Sequence, residues 1–152
     1  MTSDSKYKSY YSEILFSSPE YIEALEIRYE VLRKPLDLEY KKDDLEKEWD
    51  SFHIAAFDHN ASIVGCLILQ PIGTHTLKMR QVAVLPACQN KSVGTGLVLF
   101  SEQFALAKGF TSMQLHARIS AVKFYEKLEY SITGSAFKEV GIDHFKMVKK
   151  LG

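Results

Sequence analysis

Between Gln89 and Gly96 the chain reads Gln-Asn-Lys-Ser-Val-Gly-Thr-Gly, a polar loop that opens onto a helical stripe of Val93, Leu97, Phe100, Phe104 and Ala107. A helix starting there leaves its first backbone N–H groups unpaired and turns the positive end of its dipole to the loop, which suits a phosphate or diphosphate. Lys91 adds a positive charge, and the hydroxyls of Ser92 and Thr95 can donate to phosphate oxygens. Gly94 and Gly96 either let a ligand approach or let the helix pack tightly on a sheet, and spacing alone does not separate the two. No Gly-Lys-Ser/Thr closes the loop, so it is not a Walker loop. A dinucleotide fingerprint would need a third glycine and an acidic residue on the next strand. His53, His59 and His75 lack metal-ligand spacing, and Cys66 and Cys88 are too few and too far apart for a zinc cluster, so no metal site is expected.

Such a loop has to be held by a strand before it and a helix after it. The run Leu77 to Leu85, stopped by Pro86, supplies the strand, and the stripe closed by Lys108 and Gly109 supplies the helix. Upstream, a strand is expected over Ser12 to Ser17. A helix should then begin with Ser18 as N-cap and Pro19 in its first turn and end near Lys34, before Pro35, with Ile22, Leu25, Tyr29 and Leu32 on its apolar face. The charged segment Asp37 to Asp50 reads as a solvated stretch with a short helix. Phe52 to Phe57 and Ile63 to Gln70 read as a hairpin. Downstream come a strand at Ser112 to Ala117, a helix from Ser120 to Leu128 with Ser120 as its N-cap, and strands near Tyr130 and from Ile142 to Val148.

This order predicts an α/β (α+β) fold, a mixed and mostly antiparallel sheet flanked by helices. The first strands should form a meander, and the pair around the long helix should run parallel through a right-handed crossover. A length of 152 residues fits one domain over 1–152. Nineteen basic against nineteen acidic residues leave no net charge, so neither nucleic acid nor an anionic membrane is favoured as a partner. The start MTSDSKYKSYYS lacks the apolar core of a signal peptide and no apolar run approaches the ~20 residues of a membrane helix, so a cytoplasmic, reduced protein is expected.

The stretch VAVLPACQNKSVGTGLVLF resembles the acyl-CoA-binding motif of the GNAT superfamily of N-acetyltransferases, with Gln89, Lys91, Val93, Gly94 and Gly96 agreeing in type. Ser92 stands where the family has its first glycine and fits provided it need not adopt a positive φ. A second stretch, Ala121 to Tyr130, is similar to the family's Phe-Tyr helix, with Arg118 in place of a common Asn and Glu129 in place of a common Gly. The resemblance implies the GNAT fold with splayed fourth and fifth strands. It also implies acetyl-CoA as acyl donor, with no metal, and direct acetyl transfer to a primary amine of a small molecule or peptide. A homodimer is the assembly it suggests.

By the same resemblance, main-chain groups of Val82, Ala83 and Val84 face the pantetheine and the thioester oxygen, and Gln89, Asn90, Lys91, Ser92, Val93, Gly94, Thr95 and Gly96 wrap the diphosphate. Arg118 and Phe124 are further cofactor contacts, and Tyr125 is the proton donor to the departing sulfur. A phenol of pKa ~10 is protonated at neutral pH and can serve, although packing beside Phe124 also explains it. The fourth strand carries no carboxylate in Leu77 to Gln81, so the base is sought in His144, whose imidazole suits the task; filling a late strand explains it equally well. Glu139 and, on the first helix, Arg28, Tyr29 and Arg33 are expected to touch the acceptor. His116 is read as a satisfied core histidine. The missing strand carboxylate keeps open a rival of another class, a non-catalytic acyl-CoA sensor or interaction module.

Overall fold

The computed structural model describes residues 9–89 and 92–152. Among the described residues seven strands, β1 (Tyr10–Ile14), β2 (Phe52–Phe57), β3 (Ile63–Pro71), β4 (Thr76–Val84), β5 (Ser112–Arg118), β6 (Ser131–Glu139) and β7 (Ile142–Lys150), form a sheet in the order β1-β2-β3-β4-β5-β7-β6. Four α-helices among the described residues accompany them: α1 (Pro19–Arg28), α2 (Lys42–Glu46), α3 (Val93–Ala107) and α4 (Val122–Lys127). Pairing is antiparallel for β1 with β2, β2 with β3, β5 with β7 and β6 with β7, and parallel for β4 with β5. The expected mixed, mostly antiparallel sheet is what the chain forms. The parallel ladder runs from Thr76 and Ser112 to Met79 and Leu115 and stops there.

Contacts group the chain into two compact units. The first takes the residues up to Leu69 together with Gln81–Ser101. Its helix α1 starts where the sequence places it: the Ser18 hydroxyl accepts the Tyr21 N–H at 3.1 Å, and Pro19 needs no partner for the N–H it lacks. The expected apolar face is matched only in part: Leu32 packs on the core and Leu25 and Tyr29 are half-buried. Ile22 is half exposed, and Tyr21, Ala24, Ile27 and Arg28 are buried instead. Past Arg28 the helix widens into a π turn over Tyr29–Arg33 and tightens into a 3₁₀ turn over Lys34–Leu36, ending at Asp37 with φ 55°. The core joins Ile14, Ala24, Ile27, Ala55, Ile63, Cys66 and Ala83, with Val31, Leu32, Phe57 and Leu85 packed on it. Each large apolar side chain so removed from water contributes about 1.5–3 kcal/mol.

The second unit takes Gln70–Arg80 and Glu102–Gly152. Period-two alternation on β5 buries Met113, Leu115 and Ala117, and Leu77, Met79 and Met147 are equally sealed. Glu102 holds two partners there, accepting the Tyr130 hydroxyl at 2.9 Å and the Lys149 ammonium at 2.8 Å. Two expectations are corrected. The strand near Tyr130 is a nine-residue edge strand, Ser131–Glu139, whose pairing shifts between Thr133 and Phe137. Helix α4 has no side-chain cap; Ser120 lies in a 3₁₀ turn and Ala121 occupies the N-cap.

Candidate active site

In the first unit, α3 begins at Val93, and the Gly96 N–H is the first shown to reach a carbonyl one turn back, that of Ser92 at 2.9 Å. Among the described residues the N–H groups of Val93, Gly94 and Thr95 precede the ladder, and no acidic residue stands in the first turn, so the helix end suits an anion. Ser92 enters the helix at φ 65°, so the condition set for it in place of the family's glycine, a φ that is not positive, is not met. The left-handed region costs a non-glycine residue about 1–2 kcal/mol, and the turn into α3 imposes it. Gly96 is explained by packing rather than by a ligand: a Cβ there would lie 1.7 Å from the Tyr11 hydroxyl and 2.3 Å from Cζ. Asn90 and Lys91 lie outside the described residues.

The strand leading to this loop bends at Gln81, which has φ 56°, and its side-chain oxygen accepts the Tyr40 hydroxyl at 2.7 Å. Beyond the bend Ala83 is buried in the core, while Val82 and Val84 are partly exposed. Gln89 turns back on the strand, donating from Nε2 to the Val84 carbonyl at 3.0 Å, which occupies one acceptor position that the pantetheine was expected to use. Arg28 is also placed otherwise than expected. It is 2% exposed and grips Glu48 with both arms, Nη1 to Oε1 at 2.9 Å and Nη2 to Oε2 at 2.7 Å, so it offers no free fork to an acceptor. The Tyr21 hydroxyl donates to the same carboxylate at 2.9 Å. Burial opposes ionisation of Glu48, but Arg28 outweighs it and holds the carboxyl below its ordinary value. Arg33 lies 4.6 Å from the centre of the Tyr40 ring, which Arg28 also approaches, and its Nε is buried without a hydrogen-bond partner among the described residues. Tyr29 is half-buried in the π turn.

In the second unit, Tyr125 is 6% exposed, set edge-on to Phe124 at 5.0 Å and to Tyr130 at 5.8 Å. Burial alone pushes its phenol up to about 12, so it keeps its proton throughout the neutral range. Arg118 ends β5 and stands opposite His144 on β7. His144 is buried, with Nδ1 2.7 Å from the Ile142 carbonyl. A carbonyl only accepts, so Nδ1 carries the hydrogen, and Nε2, 3.7 Å from Glu139 Oε2, has the lone pair when the ring is neutral. The other Glu139 oxygen meets His116 Nδ1 at 3.1 Å. His116 is therefore not a core histidine: it shares the face of Gln114 and Arg118, opposite Met113 and Leu115. The alternation of β5 was the signal that could have shown this.

The chain thus has, in one unit, a helix start suited to a diphosphate and, in the other, a buried phenol and a His-Glu-His cluster. Among the described residues no group of His, Cys, Asp and Glu could hold a metal ion, and no described helix is long and apolar enough to cross a membrane. The Acetyltransferase (GNAT) family model matches residues 18–130. The chain is 35% identical over 89 residues to the uncharacterized protein YyaT of Bacillus subtilis (strain 168), a match covering 54% of this chain and 60% of that one. It spans about half the length of the curated relatives it matches. Among solved structures it resembles an acyl-CoA N-acyltransferase from Pseudomonas aeruginosa, with TM-score 0.79, 18% identity, and 93% of this chain and 99% of that one covered. It also resembles a GNAT family acetyltransferase from Elizabethkingia anophelis with acetyl-CoA bound, with TM-score 0.71, 18% identity, and 94% and 98% covered. With the family model spanning α1 through Tyr130 and the fold shared along nearly the whole chain, the protein belongs to the GNAT family of acetyltransferases.

Proposed function

We propose that the chain is a single catalytic domain that transfers an acetyl group from acetyl-CoA to a primary amine of a small molecule or peptide. The observation that carries this reading is the start of α3, whose N–H groups from Val93 to Thr95 precede the helical ladder with no acidic side chain in the first turn. These groups, with the hydroxyls of Ser92 and Thr95, suit a diphosphate, and main-chain groups of Val82 to Val84 suit the pantetheine arm. The free thiols of Cys66 and Cys88 suit a reducing compartment such as the cytoplasm.

In the reaction the neutral amine nitrogen bonds to the acetyl carbon and the carbon–sulfur bond breaks. The amine gives up one proton, the departing thiolate takes one, and the products are the amide and free CoA. Tyr125 keeps its proton because it is buried, and it serves as the donor to sulfur. His144, with Nδ1–H fixed on the Ile142 carbonyl, offers Nε2 as the acceptor for the amine proton. Glu139 then faces the resulting imidazolium as counter-charge, at 3.7 Å. Calorimetric titration tests the cradle: CoA should bind at least ~100-fold more tightly than pantetheine, which lacks the diphosphate. Equal affinities would remove the helix start from the site.

A further inference from the structure

The sheet of the second unit has two different faces. On one lie the sealed side chains of Met113, Leu115 and Met147, and the cation there, Lys149, is bonded to Glu102. Register sets the other. Lys78 on β4 pairs with Gln114 on β5, and His116 and Arg118 pair with Lys146 and His144 on β7, so alternation points all of them the same way. Lys78, Arg80, Arg118 and Lys146 are each only partly exposed, and among the described residues none has an ion-pair partner. Burial holds the Lys78 ammonium below its ordinary value, the like charges of Arg80 and Lys146 add to this, and Glu139 acts against it. Half-desolvated like charges gathered around one carboxylate repel one another unless an anion joins them.

We propose that this face binds the carboxylate of a small amino-acid-like acceptor at Lys78, Arg80 and Lys146, with its amine toward Glu139 and His144. The inference rests on the acetyl-transfer reading for the role of the bound molecule as acceptor. Charge complementarity carries it: three cations beside one carboxylate match a zwitterion, and they disfavour polycationic amines. The planar fork of Arg80, which among the described residues has only a 3.3 Å bond to the Gln70 side chain, suits a carboxylate.

The test uses binding, so that it does not depend on turnover. N-acetylglycine and its uncharged amide, N-acetylglycinamide, are titrated into the protein while the backbone resonances of β5 and β7 are followed. The carboxylate probe should bind about 10-fold more tightly. The preference should survive in Lys146→Arg, fall to within about 2-fold in Lys78→Met and Lys146→Gln, and reverse in Lys146→Glu. Equal binding of the two probes to the wild-type protein, a preference unchanged in the neutral variants, or tighter binding of N-acetyl-phosphoethanolamine would overturn the proposal. Acetylation of amines with no carboxylate preference would sink this inference and leave acetyl transfer standing. Carboxylate-selective binding without any turnover would do the reverse.

Discussion

Replacing Glu48 by Gln removes one charge from a site built around a buried cation, and the cost follows from the geometry. Arg28 is 2% exposed, and both of its terminal nitrogens are satisfied by Glu48, at 2.9 and 2.7 Å, while its Nε has no hydrogen-bond partner among the described residues. The guanidinium cannot lose its proton at any accessible pH, so Glu48→Gln leaves an uncompensated charge out of water, a loss of about 3–5 kcal/mol. For a chain of this size that lowers Tm by roughly 6–20 °C, at about 2–4 °C per kcal/mol. The double variant Arg28→Met with Glu48→Leu removes both charges and should be less destabilised than Glu48→Gln alone, because no buried ion remains. The pair also sets an acid limit. The Glu48 carboxyl is held below its unfolded value of 4.5, so its contribution is present above that pH and is lost as pH falls through the folded value. Urea and thermal unfolding of the three proteins between pH 3 and 7 together read all of this. A Glu48→Gln variant within ~1 kcal/mol of wild type, or a double variant less stable than the single, would refute the reasoning.

Gly96→Ala should destabilise by about 1–3 kcal/mol, because its Cβ would overlap the Tyr11 ring, and Tyr11→Ala should remove most of that penalty; denaturant melts of the two singles and the double decide it. At the turn joining β6 to β7, Val140 has φ 47° ahead of Gly141 at φ 75°. Val140→Asn should therefore raise stability by about 1 kcal/mol in the same melts, and a loss would mean that the branched side chain is held by contacts worth more than its strain.

How far the sequence was legible depended on whether each element's reason was local. Strand β2 falls at Phe52–Phe57 as expected, and Ser18 caps α1, because alternation and a hydroxyl before Pro19 act within a few residues. The buried face of α1 was only partly legible because two of its buried residues, Tyr21 and Arg28, look like surface residues until Glu48 is found, and that partner sits in a charged run that reads as solvated. Strand β6 was shortened because its side chains are mostly exposed and its pairing runs through β7 alone, so no apolar alternation marks it. At the site, Tyr125 and the helix start of α3 were visible as motifs. The His116–Glu139 contact joins residues 23 apart across strands whose register no local signal gives.

The measurement closest to the central claim is thiol release from acetyl-CoA with a panel of primary amines, wild type beside Tyr125→Phe. Wild-type protein should release thiol in proportion to amide formed, and the variant should lose about 10²–10⁴-fold in kcat, the usual contribution of a positioned proton donor, while binding CoA unchanged. Turnover in Tyr125→Phe equal to wild type would remove the phenol from the chemistry. Tight CoA binding with no thiol released above background for any amine would contradict acetyl transfer itself.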